Sequence, residues 1–136
     1  MFARGATVLT VAYGINDIGW GTKADEAHKR EYLESLREIV ERCQEHKVRV
    51  WICSAAITAE APETAEKSFL QTMCDEALAQ AKAQGAGTID MQRGMREVQR
   101  RVIASNERDK KAGKAGDATM HAPDGVHLND LGQMAM

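Results

Sequence analysis

Apolar residues follow two different spacings along the chain, and these spacings predict strands and helices in turn. Three short runs of β-branched or apolar residues are typical of strands, and they cover residues 8–12, 48–53 and 87–91. The segments that follow each run carry apolar residues every three or four positions, which predicts amphipathic helices over about 25–46, 62–84 and 91–108. This alternation predicts an α/β fold with parallel strands.

The same pattern predicts which residues are buried. The first strand, Val8–Ala12, has the composition of a strand buried inside a sheet. The predicted inward faces of the three helices contain Leu33, Leu36, Val40 and Cys43, then Leu70, Met73, Cys74, Ala77 and Ala81, then Met91 or Met95, Val98 and Val102. The three cysteines (Cys43, Cys53 and Cys74) lack Cys-x-x-Cys spacing, and we expect them to be small buried residues.

Composition and charge narrow the classes of function. The chain is 43% hydrophobic and 28% charged, which is ordinary for a globular domain, and its net charge of −2 favours neither nucleic acid nor an anionic membrane surface as a partner. No apolar run is long enough to span a membrane. The basic segment 108–114 is predicted to be a solvated loop. The first residues have no secretory pattern, and the sequence assigns no localisation.

A candidate functional turn follows the first strand. Gly14-Ile15-Asn16-Asp17 comes where the strand ends, and in an open α/β sheet ligands bind beyond the carboxyl ends of the strands. Gly14 would let backbone and substrate approach closely, and Asn16 can aim an amide N–H at a developing oxyanion. The alternative is a turn without chemistry, since Asn, Asp and Gly are common turn residues.

A second candidate lies near the other end, in Asp124-Gly125-Val126-His127. A carboxylate that accepts a hydrogen bond from one nitrogen of a histidine ring orients the ring, and the other nitrogen can then serve a nucleophile. A spacing of three residues on a turn puts Asp124 and His127 on the same side. The alternative is an Asp-Gly turn followed by a surface histidine.

Together and in this order, the two motifs resemble those of the SGNH hydrolases, the GDSL-type esterases and lipases. Gly-x-Asn-Asp and a late Asp-x-x-His are two of that family's four marks, and the segment Leu128-Asn129-Asp130 is similar to the start of its last helix. The resemblance implies a three-layer α/β/α fold with a flavodoxin-like parallel sheet, of which about three strands are present here.

The resemblance also implies a function and a site. The intact enzyme would hydrolyse a small-molecule carboxylic ester through an acyl-serine intermediate, without metal or cofactor. Asp124 and His127 would be catalytic, and Gly14 and Asn16 would belong to the oxyanion site. Lipid esters, aryl esters, acylated sugars and thioesters all remain open as substrates.

The sequence departs from the family at the nucleophile, because it contains no Gly-Asp-Ser. Three of its serines (Ser35, Ser68 and Ser105) fall in predicted helices, and Ser54 follows a strand at a position where the family has no nucleophile. We therefore expect residues 1–136 to be part of an SGNH domain that is inactive alone. The alternative is a short, non-catalytic binding or assembly module that kept the scaffold.

Three further features remain open. His121 shares the three-residue spacing of Asp124 and His127, which is weak support for a metal site. Trp20 is predicted either to line an acyl pocket or to pack over the end of the sheet. His28 and His46 are predicted to lie on helix surfaces, and neither is assigned a partner from the sequence.

The order of strands in this family has a consequence for the first one. The family's strand order implies that strand 8–12 would pair on one side with a strand that this sequence lacks. An apolar strand edge without a partner is a template for pairing with another chain. The sequence therefore predicts self-association through this edge.

Overall fold

The computed structural model describes residues 5–136. Residues 1–4, which belong to the N-terminal segment in which the sequence showed no secretory pattern, lie outside the described residues. The chain divides into two compact units. Unit 1 contains the residues up to Ala55 together with Ser68–Asp90, and unit 2 contains Ala56–Lys67 and Met91–Met136.

Unit 1 is built on a parallel sheet of three strands in the order β1-β2-β3. The strands are β1 (Val8–Ala12), β2 (Arg49–Cys53) and β3 (Gly87–Ile89). Val8 is paired with Arg49, and Trp51 is paired with Gly87. The predicted strands and their parallel arrangement are therefore confirmed.

Two helices cover one face of this sheet. Helix α1 (Glu26–Glu45) connects β1 to β2, and α3 (Phe69–Ala83) lies between β2 and β3 in the chain. Their apolar faces form one core with the strands, whose buried members include Tyr32, Leu36, Val40, Cys43, Val11, Val50, Ile52, Leu70, Met73, Cys74, Ala77 and Ala81. The predicted inward faces of both helices and the burial of the three cysteines are confirmed, although Leu33 is only partly buried.

The prediction of a buried first strand is wrong for most of its residues. Only Val11 is buried, whereas Val8, Thr10 and Ala12 are exposed. The reason is that successive side chains of a strand point to opposite faces. A strand is therefore buried on both faces only where other elements cover both faces. Here helices α1 and α3 cover one face of the sheet, and the side chains of β1 on the other face remain exposed.

The prediction of a single helix over 62–84 is also wrong. Helix α2 (Pro62–Ala65) ends after one turn, and α3 begins at Phe69. Ser68 separates them because its backbone is extended and its hydroxyl accepts a hydrogen bond from the N–H of Gln71. Ser68 is thus an N-cap rather than a residue within a helix.

Unit 2 consists of α2, α4 (Met91–Lys111) and α5 (Asp130–Ala135), joined by long loops. Its small core is formed by Ile57, Met95 and Met120, with Val98 and Val102 partly buried against them. The basic segment 108–114 was predicted to be a loop, but it is helical as far as Lys111. Its positive side chains interact favourably there with the negative end of the helix dipole. Within residues 5–136, no helix is long and apolar enough to cross a membrane.

Candidate active site

The turn after β1 is closely packed against the core of unit 1. Gly14 is buried and has a φ of 140°, a conformation that other residues rarely adopt. A side chain at this position would meet the Cβ of Ala55 at 3.1 Å and the Cε of Met73 at 3.3 Å. Just before it, the hydroxyl of Tyr32 donates a hydrogen bond to the carbonyl oxygen of Tyr13. The direction in which the chain leaves β1 is therefore fixed by packing.

Asn16 lies on the exposed part of this turn. Its side-chain Oδ1 accepts a hydrogen bond of 2.5 Å from the indole Nε1 of Trp20. Trp20 itself is 58% exposed. Asn16 and Trp20 together form a small polar cluster at the carboxyl end of β1.

Asp124 and His127 are brought together in unit 2. The Nδ1 of His127 lies 2.8 Å from Oδ2 of Asp124, and because an ionised carboxylate can only accept, the ring donates. The other carboxylate oxygen, Oδ1, accepts from the backbone N–H groups of Val126 and His127, each at 2.9 Å. The local contact between Asp124 and His127 that the spacing predicted is present.

Backbone contacts hold this loop in place. The N–H of Ala122 donates to the carbonyl of His127, and the N–H of Ala59 donates to the carbonyl of Gly125. Asn129 closes the loop, since its amide Nδ2 donates to the carbonyl of Thr119 and its Oδ1 caps α5 at Gly132. The last helix therefore begins where the sequence predicted, and it anchors one end of the loop.

Hydrogen bonding lowers the pKa of Asp124 to about 2. The largest cause is the bond from the backbone N–H of Val126, followed by the bonds from the ring and the backbone N–H of His127. Asp124 is therefore ionised at neutral pH. An ionised carboxylate beside Nδ1 favours the tautomer of the neutral ring that carries its proton on Nδ1, which leaves the lone pair on Nε2.

His121 does not join this pair. Its side chain is buried, and its Nε2 donates to the carbonyl of Ile57 at 3.1 Å. Within residues 5–136, no group of three or more His, Cys, Asp or Glu side chains has the arrangement of a metal site. His121 instead ties the segment before the loop to the core of unit 2.

His28, to which the sequence assigned no partner, has one in the structure. The Nδ1 of His28 lies 2.9 Å from both carboxylate oxygens of Asp25, and the N–H of His28 donates to the same carboxylate. Asp25 is the N-cap of α1, so this second Asp-x-x-His pair has a structural explanation. Its spacing, identical to that of residues 124 and 127, was the signal in the sequence that could have revealed it.

Comparison with known proteins places these residues in a family. The family model for the GDSL-like lipase/acylhydrolase family matches residues 2–135. The chain belongs to this family. This finding confirms the resemblance that the motifs of the sequence indicated.

A solved structure with the same fold is the crystal structure of an acetyl xylan esterase, AlAXEase. It is 16% identical in sequence with a TM-score of 0.64, and the match covers 99% of this chain. The chain spans 66% of the length of that esterase. Among curated proteins, no relative matched the chain.

This member of the GDSL-like lipase/acylhydrolase family has four serines. Ser54 is 1% exposed, and its hydroxyl donates to Oδ1 of Asp90 at 3.3 Å. Ser35 and Ser105 lie within α1 and α4, and Ser68 caps α3.

The site residues predicted from the sequence fall in both units of this family member. Gly14 and Asn16 belong to unit 1, whereas Asp124 and His127 belong to unit 2. That all four converge on one ester therefore stays a prediction. Besides the Asp25–His28 pair, sequence reasoning missed the bond between Trp20 and Asn16, for which the signal was a spacing of four residues.

Proposed function

We propose that this chain carries the proton-transfer pair and one oxyanion donor of a carboxylic ester hydrolase that acts through an acyl-serine. His127 is the general base and then the general acid, Asp124 orients it, and Asn16 stabilises the oxyanion. The observation that supports the proposal most directly is the 2.8 Å hydrogen bond between His127 Nδ1 and Asp124 Oδ2.

The geometry of the loop suits His127 for moving one proton. With the Nδ1 proton donated to Asp124, the lone pair of Nε2 accepts the proton of the serine hydroxyl as the serine oxygen attacks the ester carbonyl. Nε2 then donates that proton to the alcohol oxygen as the ester bond breaks. The same atom activates a water molecule that hydrolyses the acyl-serine. The positive charge on the imidazolium is stabilised throughout by Asp124.

Asn16 and Gly14 support the second part of the proposal. Attack on the ester carbonyl creates a negative oxygen, and donors that are already oriented toward it lower the barrier. Asn16 is exposed on a turn whose direction is fixed by the positive φ and tight packing of Gly14. Its amide can donate one hydrogen bond to the oxyanion.

The nucleophile is supplied, in this proposal, by sequence outside residues 1–136. The chain contains no Gly-Asp-Ser, and the serine that follows a strand, Ser54, is buried and donates its hydroxyl to Asp90. A base without a nucleophile has no proton to accept. We therefore expect the isolated chain to bind or orient an ester at most.

The experiment compares residues 1–136 with the product of the longest natural reading frame that contains them. The probe is p-nitrophenyl acetate, an acetyl ester chosen because the structurally similar protein is an acetyl xylan esterase. We expect saturable turnover only from the longer product. His127→Ala should remove it, whereas His28→Ala, the matched Asp-x-x-His control, should leave it unchanged.

Three results would overturn the proposal. Turnover by residues 1–136 that Ser54→Ala abolishes would identify Ser54 as a nucleophile. Turnover that survives His127→Ala in the longer product would exclude the assigned base. A folded longer product with no turnover on aryl or acetyl esters would favour the non-catalytic module.

A further inference from the structure

Trp20 is held in a backbone conformation that bulky residues rarely adopt. Its φ and ψ are 57° and 32°, in the left-handed region, and both neighbours, Gly19 and Gly21, also have positive φ. The turn is closed by hydrogen bonds from the N–H of Trp20 to the carbonyl of Ile15 and from the N–H of Gly19 to that of Asn16. The chain therefore curls back, and this brings the side chain of Trp20 onto Asn16.

Burial does not fully account for this conformation, because the Trp20 side chain remains 58% exposed and more than half of its surface stays in contact with water. What the turn does achieve is the 2.5 Å hydrogen bond from the indole Nε1 to Asn16 Oδ1. Unfavourable backbone conformations that persist in folded proteins are concentrated at functional sites.

This bond determines which end of the Asn16 amide faces outward. An indole N–H can only donate, so the atom of Asn16 that it meets must be the oxygen. The nitrogen of the same amide, Nδ2, then points away from the indole. An exposed asparagine without such a partner can rotate its amide by 180° and present its oxygen instead, which would repel an oxyanion.

We propose that Trp20 is the positioning residue of the oxyanion donor: its indole N–H holds the Asn16 amide with the nitrogen directed toward the developing negative charge. This inference rests on the proposed function for the role of Asn16. The bond itself, and the orientation that it imposes, depend only on contacts within unit 1.

The orientation is tested by NMR on residues 1–136 without any activity. The chain has two tryptophans, so a ¹H–¹⁵N spectrum contains two indole signals, and Trp51→Phe identifies the one from Trp20. Asn16→Ala should shift the Trp20 indole signal and speed its exchange with solvent, while leaving the Trp51 signal in place. An unchanged Trp20 signal would overturn the inference.

The catalytic role is tested in the longer product with a double-mutant cycle. Trp20→Phe keeps the aromatic ring but removes the donor, and we expect kcat to fall about 10- to 100-fold at nearly constant KM. Asn16→Ala should lower kcat by about 10²–10³-fold. Adding Trp20→Phe to Asn16→Ala should cause no further loss, because Trp20 acts through Asn16. Trp51→Phe is the control and should leave kcat unchanged.

The NMR experiment and the double-mutant cycle together distinguish failure of this inference from failure of the proposed function. Additive losses in the cycle, or a fall in stability without a fall in kcat, would make Trp20 merely structural and overturn the inference. An unchanged kcat in Asn16→Ala, with the NMR result as expected, would instead remove Asn16 from the oxyanion site and overturn that part of the proposed function together with the role of Trp20.

Discussion

The ring of His28 is hydrogen-bonded to Asp25 with the same atom and at the same spacing as the ring of His127 is bonded to Asp124. In both pairs Nδ1 meets the carboxylate of the residue three positions earlier, at 2.9 Å and 2.8 Å respectively. In both, the same carboxylate accepts the backbone N–H of the histidine. One pair caps a long helix and the other lies on a loop, so the chain contains its own control for the proposed catalytic pair.

The first prediction concerns the tautomers of these two histidines. At a pH where the rings are neutral, the ¹⁵N chemical shifts of both should indicate a proton on Nδ1, since a carboxylate accepts it there. Asp124→Ala should change the tautomer of His127 alone, and Asp25→Ala that of His28 alone. In the longer product, Asp124→Ala should also lower kcat on the order of 10³–10⁴-fold. Proton occupancy of Nε2 in the unsubstituted chain would contradict the prediction.

The second prediction concerns acid. The pKa of Asp124 is lowered from 3.8 to about 2, first by the bond from the backbone N–H of Val126. A lowered pKa in the folded state means that the carboxylate stabilises the loop fully above pH about 4, and that this stabilisation is lost as the pH falls through about 2. The backbone amide shifts of Val126 and His127 should titrate in this window. In Asp124→Asn they should not, and a midpoint near 4 in the unsubstituted chain would refute the assignment.

The third prediction concerns Gly14. Gly14→Ala should lower the free energy of unfolding by about 1–3 kcal/mol, because alanine is strained at this φ and its Cβ would press on Ala55 and Met73. Gly21→Ala is the matched control, since Gly21 also has a positive φ but has open space where a Cβ would lie. Urea unfolding of both variants measures the difference. Equal losses would mean that packing around Gly14 contributes nothing.

The fourth prediction concerns the outer edge of β1. The carbonyl of Thr7 accepts from the N–H of Arg49, so by the alternation of a parallel ladder the backbone groups of Val8, Thr10 and Ala12 face away from β2. Within residues 5–136 no strand pairs with that edge. We expect two copies of the isolated chain to pair there.

Sedimentation measures this association. Thr10→Lys, which places a charge on the edge strand, should shift the isolated chain toward monomer. Thr64→Lys, the same change at an exposed position of α2, should leave the association unchanged. If the unsubstituted chain sediments as a monomer and unfolds in one sharp thermal transition, the outer edge of β1 is stable without a partner strand.

Local interactions explain what the sequence determined by itself. The strands, the long helices and the inward faces of α1 and α3 follow from spacings of two and of three to four residues, which act within one element. The Asp124–His127 contact was also predictable, because three residues on a turn bring two side chains together without help from the rest of the chain. The family motifs are also short local patterns, and they predicted the membership of the GDSL-like lipase/acylhydrolase family that the family model shows.

Contacts between elements decided the rest. Whether β1 is covered on one face or two depends on which helices reach it, and no pattern within Val8–Ala12 contains that information. The break at Ser68 is the exception, since it depends on a local capping bond to Gln71 that competes with a continuous helix, and periodicity does not show which of the two forms. The bond between Trp20 and Asn16 required three successive residues with positive φ, a conformation that propensities do not predict for tryptophan. Tertiary structure thus decided how the Asn16 amide is oriented, whereas the sequence determined only that an asparagine follows the strand.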